Sequence, residues 1–166
     1  NIICKKILMT ESSIFLQIIL MLIGAAPGST GGGMKMTTFF VLVTTSMAIF
    51  RNRSRTESFG RTIPETVVRN AATILMLYIS LCVGAAMIIS VIENVPMVTA
   101  MYETASAIAT VGLTLGITRD LTIISRMILI FLMFAGRIGG LTLIYGMFPF
   151  RNQCLGRHIE ENVAVG

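Results

Sequence analysis

The chain has 166 residues, 54% hydrophobic and 13% charged, with a mean hydropathy of +0.83 and a formal net charge of +5. A soluble domain carries about 25% charged residues, so the composition excludes an ordinary soluble globular fold and indicates an integral membrane protein. The basic residues gather at particular points, which excludes a nucleic-acid surface and assigns the excess to membrane topology.

Residues 1–10 are mixed, with Lys5 and Lys6 interrupting the apolar pattern. Thr10-Glu11-Ser12-Ser13 offers N-cap chemistry for a helix. Two apolar runs follow, 14–23 and 36–50, each too short to cross a bilayer as a helix. Between them lies Ala25-Ala26-Pro27-Gly28-Ser29-Thr30-Gly31-Gly32-Gly33-Met34-Lys35. Joined, the two runs make a span over residues 1–50 that is broken at 25–35. Lipid offers no partner to the backbone groups freed by such a break, so it survives only where protein buries it or where it lines a water-filled cavity. The expectation is a broken transmembrane helix beside a pathway for a polar solute. A phosphate-binding loop is the rival reading, but Met34 separates Gly33 from Lys35 and no strand precedes the glycines.

Residues 51–66 form a polar loop, and with Arg69 this region carries Arg51, Arg53, Arg55 and Arg61 against Glu57 and Glu65. The positive-inside rule places it in the cytoplasm. Residues 67–92 are apolar and long enough to span, with Pro96 marking the stop. Residues 97–109 are apolar but short, and carry Glu103, which indicates a re-entrant segment. A Gly- and Thr-rich stretch without helical pattern follows. Residues 121–150 are again long enough to span, with Arg137 near the middle, and 151–166 form a polar cytoplasmic tail. Three crossings then place Asn1 outside, with Lys5 and Lys6 against the rule. The chain begins with Asn, and the expectation is the C-terminal portion of a longer protein.

Span, short re-entrant helix, extended glycine-containing stretch, span: this is the plan of a pore loop. The short helix aims its partially negative C-terminal end at the pore. The stretch after it presents carbonyls that replace the hydration shell of a monovalent cation. Thr110-Val111-Gly112 has the small or Thr-like residues and the glycine this requires. Arg137, an ionisable residue at membrane depth, reads as functional because its insertion costs about 2.5–3.5 kcal/mol or more. Gly139-Gly140 reads as a close helix contact. Cys4, Cys82 and Cys154 have no metal-ligand spacing, Cys82 reads as a small core residue, and His158 reads as a solvated tail residue. With no nucleophile–base pair, metal cluster or paired carboxylates, an enzyme is the remotest class.

Four blocks together resemble one family. They are 27–35, 106–118 (Ser106-Ala107-Ile108-Ala109-Thr110-Val111-Gly112-Leu113-Thr114-Leu115-Gly116-Ile117-Thr118), 134–143 and 160–166. In this order they are similar to the Ktr/Trk/HKT potassium transporters, most nearly the KtrB-type membrane subunit. The resemblance implies an all-α membrane protein of four M1–pore loop–M2 repeats around one pore, in the bacterial plasma membrane. This chain would supply the second transmembrane helix of repeat three and all of repeat four: M1 67–92, pore helix 97–109, filter 110–114 and M2 121–150. It implies K⁺ (or Na⁺) as the transported ion, with no other cofactor. Thr110, Val111, Gly112 and Leu113 would be one of four filter strands, with K⁺ at Thr110, Val111 and Gly112. Gly28, Ser29, Thr30, Gly31, Gly32, Gly33 and Lys35 would be an intramembrane gating loop. Arg137 would lie at pore depth, near the conduction path or paired with that loop, and Glu103 would brace the pore helix. The implied partners are membrane lipid, a cytoplasmic nucleotide-binding regulatory subunit and a second copy of the membrane subunit. The competing expectation is a truncated, non-conducting membrane component with an assembly role.

Overall fold

The computed structural model describes residues 10–51, 57–58, 61–139 and 142, and within them the chain is helical apart from one small hairpin. The helices are α1 (Glu11–Leu22), α2 (Met36–Phe50), α3 (Glu65–Glu93), α4 (Met97–Ile108) and α5 (Ile123–Ile138). The hairpin pairs β1 (Glu57–Ser58) with β2 (Arg61–Thr62), antiparallel, Glu57 opposite Thr62. The described residues adopt the all-α class that the resemblance implies. Cys4, Lys5, Lys6, Cys154, His158, the tail 151–166 and most of 140–150 lie outside the described residues.

Local chemistry sets the helix ends. Helix α1 starts at Thr10, but through backbone alone. The Thr10 side chain makes no capping bond, contrary to the N-cap expectation, and its carbonyl accepts from the N–H groups of Ser13 (2.9 Å) and Ile14 (3.2 Å). Helix α3 stops at Asn94, whose φ of 53° is the left-handed C-cap conformation that Asn tolerates. Ser90 Oγ then donates to the Val95 carbonyl at 2.8 Å, and Pro96 opens α4. At the same end, the Glu93 carboxylate accepts from Thr122 N (2.8 Å) and Thr122 Oγ1 (2.6 Å). An acidic group at a helix N-terminus meets orphan N–H groups and the positive end of the dipole, so the end of α3 holds the start of α5.

Helix α4 is the centre of the packing, in contact with α1, α3 and α5. Nine of its twelve residues are buried, among them Ala100, Ala105 and Ala107, whose small side chains let the neighbours close in. Tyr102 Oη donates to Gln17 Oε1 on α1 at 3.1 Å, and Cys82 Sγ on α3 lies 3.5 Å from Thr104 Oγ1. Helix α5 passes the C-terminal end of α4 so closely that a Cβ at Gly136 would overlap the Ile108 carbonyl oxygen. Among the described residues the close-packing glycine of α5 is therefore Gly136 and not Gly139, and Gly140 lies outside the described residues. A Cβ at Gly139 would have open space within 4 Å, and its φ of 90° instead ends α5. The expected span 121–150 is thus helical over Ile123–Ile138, and 140, 141 and 143–150 lie outside the described residues.

Large apolar side chains are exposed as well as buried. On α5, Leu129, Leu132 and Ala135 face inward, while Ile123, Met127, Ile130 and Phe134 are exposed on the other side. A helix apolar all round is one that meets other apolar material on every side. Among the described residues, α3 is the helix long and apolar enough to cross a membrane.

The packing yields a paired expectation. Gly136→Ala forces α5 off α4 and costs about 1–3 kcal/mol, whereas Gly84→Ala, where an added Cβ meets nothing within 4 Å, is tolerated. Thermal unfolding in detergent of the complete protein carrying this chain, with each variant, reads the difference.

Candidate functional site

The break between α1 and α2 is a closed loop with its own internal bonding. Its ends are pinched by a parallel bridge between Ala25 and Lys35, with Met36 N–H donating to the Ala25 carbonyl at 2.8 Å. Ala26-Pro27-Gly28-Ser29 is a turn closed by Ser29 N–H on the Ala26 carbonyl at 3.0 Å. Pro27 sits where a fixed φ suits the turn, and Gly28 takes the positive φ (84°) that follows it. Beyond the turn, three successive carbonyls are held by two cations. Lys35 Nζ donates to Ser29 O (3.1 Å) and Gly31 O (2.9 Å), and the Arg137 guanidinium donates to Thr30 O. Gly31 N–H donates to Ser29 Oγ at 3.1 Å. Side chains and turns therefore supply the partners that lipid cannot.

The second irregular segment leaves the C-terminal end of α4. Thr110 N–H donates to Ala107 O (3.1 Å) and Val111 N–H to Ser106 O (3.0 Å). Thr110 has φ 54°, a left-handed conformation that costs an L-residue about 1–2 kcal/mol and that a β-branched side chain rarely adopts. Gly112 follows at φ 80° and Gly116 at φ 99°. Val111 is 47% exposed, and Gly112 has open space where a Cβ would stand.

Two buried side chains of α4 fasten this segment from behind. Ser106 Oγ donates to the Leu113 carbonyl at 2.6 Å. Glu103, 4% exposed, accepts from Thr114 Oγ1 (2.6 Å), Leu115 N–H (3.0 Å) and Thr118 Oγ1 (2.9 Å). The partners of Glu103 are thus in the return segment beyond Leu113. Leu113 differs from its three predecessors, because its carbonyl is engaged by α4.

The two irregular segments meet. Gly32 N–H donates to Thr110 Oγ1 at 2.8 Å, across 78 positions of sequence. A Cβ at Gly32 would lie 2.8 Å from the Ile108 carbonyl oxygen and 3.0 Å from that of Gly136, so only glycine permits this seating. A cavity of about 450 Å³ between them is lined by Gln17, Ser29, Gly31, Gly32, Thr110, Val111 and Leu113, with apolar residues of α1. Ser29, Gly31 and Gly32 are thus brought together with Thr110, Val111 and Leu113, and Arg137 with Thr30. Gly28 stands apart at the tip of its turn, with nothing near the place of a Cβ. No cluster of His, Cys, Asp or Glu suited to a metal occurs among the described residues. The oxygens here are hydroxyls and carbonyls, ligands that suit a weakly hydrated monovalent cation. The negative end of the α4 dipole points the same way.

Ser106 was legible, since it lies one turn from Glu103 on the same helix face. The Gly32–Thr110 bond has no local signal.

Helices with apolar outer faces, enclosing hydroxyls and carbonyls beside a glycine loop, have the build of a membrane transport protein. Residues 9–148 match the TrkH family, described as cation transport protein, and the chain belongs to that family. This is a family of membrane cation transporters and not of enzymes. The chain is 38% identical to the potassium/sodium uptake protein NtpJ of Enterococcus hirae, over 95% of this chain and 36% of the relative. It is 36% identical to the Ktr system potassium uptake protein B of Bacillus subtilis (95% and 35%), and 35% identical to that of Vibrio alginolyticus (95% and 34%). It therefore spans about a third of the length of these relatives.

Removing the Glu103 carboxylate strands a buried N–H and two hydroxyls. Glu103→Ala should cost about 3 kcal/mol, and Glu103→Gln, which keeps an acceptor for Leu115 N–H, about 1 kcal/mol. Unfolding midpoints of the complete protein should fall in that order.

Proposed function

We propose that this chain is part of the pore-forming membrane subunit of a Ktr/Trk-type K⁺ uptake system and supplies one filter strand and the gate beneath it. In this reading α3, α4 and α5 are M1, pore helix and M2 of one repeat, and α1 with α2 is the broken second helix of the preceding repeat. The observation that carries the reading is the seating of the glycine loop against the C-terminal end of α4, where the pore-loop plan requires an ion to pass. The names of the relatives support K⁺ as the ion, and that of the Enterococcus hirae protein supports Na⁺ as a second one.

Thr110, Val111 and Gly112 act as ion ligands through carbonyls and the Thr110 hydroxyl, and Leu113 anchors the strand to Ser106. Gly28–Gly33 with Lys35 is the gate. Its carbonyls are occupied by Lys35 and Arg137 while it is closed. A cytoplasmic nucleotide-binding subunit moves the loop, two membrane subunits pair, and the assembly lies as a multi-pass protein in the plasma membrane. The Ktr system names of the Bacillus subtilis and Vibrio alginolyticus relatives support a multi-component assembly.

The test is uptake of radiolabelled Rb⁺ by the complete transporter carrying this sequence, in a host that cannot grow on low K⁺. Uptake that saturates with K⁺ is expected, and its absence at normal membrane expression would overturn the reading. Arg137→Ala, which frees the Thr30 carbonyl, should raise basal uptake about fivefold, because an exposed hydrogen bond of this kind contributes about 1 kcal/mol to closure. Deleting residues 28–33 should raise it further. A lower rate with normal expression counts against gating.

A further inference from the structure

We infer that Gly32 is a positioning residue for the ion site: closure of the loop not only blocks the path but also withdraws the Thr110 hydroxyl from the ion. The inference rests on the transport reading above. Its basis is the bond from Gly32 N–H to Thr110 Oγ1 at 2.8 Å, together with the left-handed φ of 54° at Thr110. An N–H and a cation compete for the same oxygen lone pairs. A donor hydrogen aimed at Thr110 Oγ1 places partial positive charge where K⁺ would bind.

The contact is not incidental to the fold. Gly32 has no room for a side chain against Ile108 and Gly136, so the loop enters this position in one way. Left-handed threonine persists only where its surroundings hold it. Here two holders of the backbone are the Ser106 and Ala107 carbonyls, which accept from Val111 N–H at 3.0 Å and Thr110 N–H at 3.1 Å as a helix C-cap, and the holder of the side chain is the loop through Gly32. The first two belong to α4 and stay. The third leaves with the loop, and the Thr110 hydroxyl then turns to the ion. Gate and filter are one coupled element, so opening raises affinity as well as flux.

The experiment is Rb⁺ uptake by the complete transporter, read as half-saturation and maximal rate separately. Four forms are compared: the parent, the 28–33 deletion, Thr110→Val, and Thr110→Val with the deletion. Loss of one hydrogen bond of about 1 kcal/mol corresponds to about fivefold, so the deletion should lower half-saturation about fivefold while raising the maximal rate. In the Thr110→Val background the deletion should still raise the rate but leave half-saturation unchanged. Thr110→Ser, which keeps the hydroxyl, should restore the shift. The same shift in Thr110→Val would trace it to removal of nearby charge and overturn the inference. A rate change alone in the parent background would overturn it too, while leaving the transport reading intact. No uptake in any form defeats the transport reading instead.

Discussion

The carbonyl end of α4 is the point on which the other elements converge. Ile108 offers its carbonyl where α5 and the glycine loop both press in, and Gly136 and Gly32 are glycine because any Cβ would collide with it. A helix C-terminus leaves carbonyls without intrahelical partners, and in an apolar surrounding those groups demand donors or cations. Ala109, Val111 and Thr110 N–H groups meet that demand for the Ala105, Ser106 and Ala107 carbonyls, and the segment beyond them faces a cavity. In the proposed reading that cavity is where the cation passes.

Burial of α4 follows from that convergence of elements. A twelve-residue helix with nine buried positions has no free face, and its polar side chains are turned to internal work. Glu103 and Ser106 hold the return segment, Thr104 meets Cys82, and Tyr102 reaches Gln17. Each bond crosses between elements, so α4 fixes the relative placement of α1, α3 and the stretch 110–118. The hydrophobic effect alone is non-directional and would not set the register of a carbonyl row. Directional bonds from buried hydroxyls and one carboxylate do.

Much of this was legible in the sequence for a simple reason: lipid is an unforgiving solvent. A glycine-rich interruption between apolar runs has few physical interpretations, and both the break at 25–35 and the short segment at 97–109 stand out by length and composition. The identity of contacts was less legible. Gly139-Gly140 has the look of a packing motif, yet Gly136 carries the contact, because which glycine faces a neighbour depends on helix rotation against α4. Thr10 has the right chemistry for a cap and does not use it. Glu103 was visible as an acidic residue in an apolar segment, but its partners, Thr114 and Thr118, are set by the path of the chain after Gly112. No periodicity encodes that path.

If the loop is the gate proposed above, the choice of carbonyls as partners for Lys35 and Arg137 bears on how it is released. Breaking a buried ion pair by withdrawing one partner costs about 3–5 kcal/mol, whereas a hydrogen bond to a neutral acceptor contributes about 0.5–1.5 kcal/mol net. Ser29, Thr30 and Gly31 give both cations neutral acceptors, and both cations are partly or fully exposed. A loop held this way is ordered yet lies within reach of the differential binding energy of a regulatory partner, typically 1–3 kcal/mol for coupled sites. Ammonium and guanidinium groups on carbonyl oxygens also use the ligand chemistry that a K⁺ site uses. In the proposed reading closure and conduction use separate oxygens, those of Ser29, Thr30 and Gly31 for the tethered cations and those of 110–112 for the mobile one, and the Gly32–Thr110 bond joins the two sets.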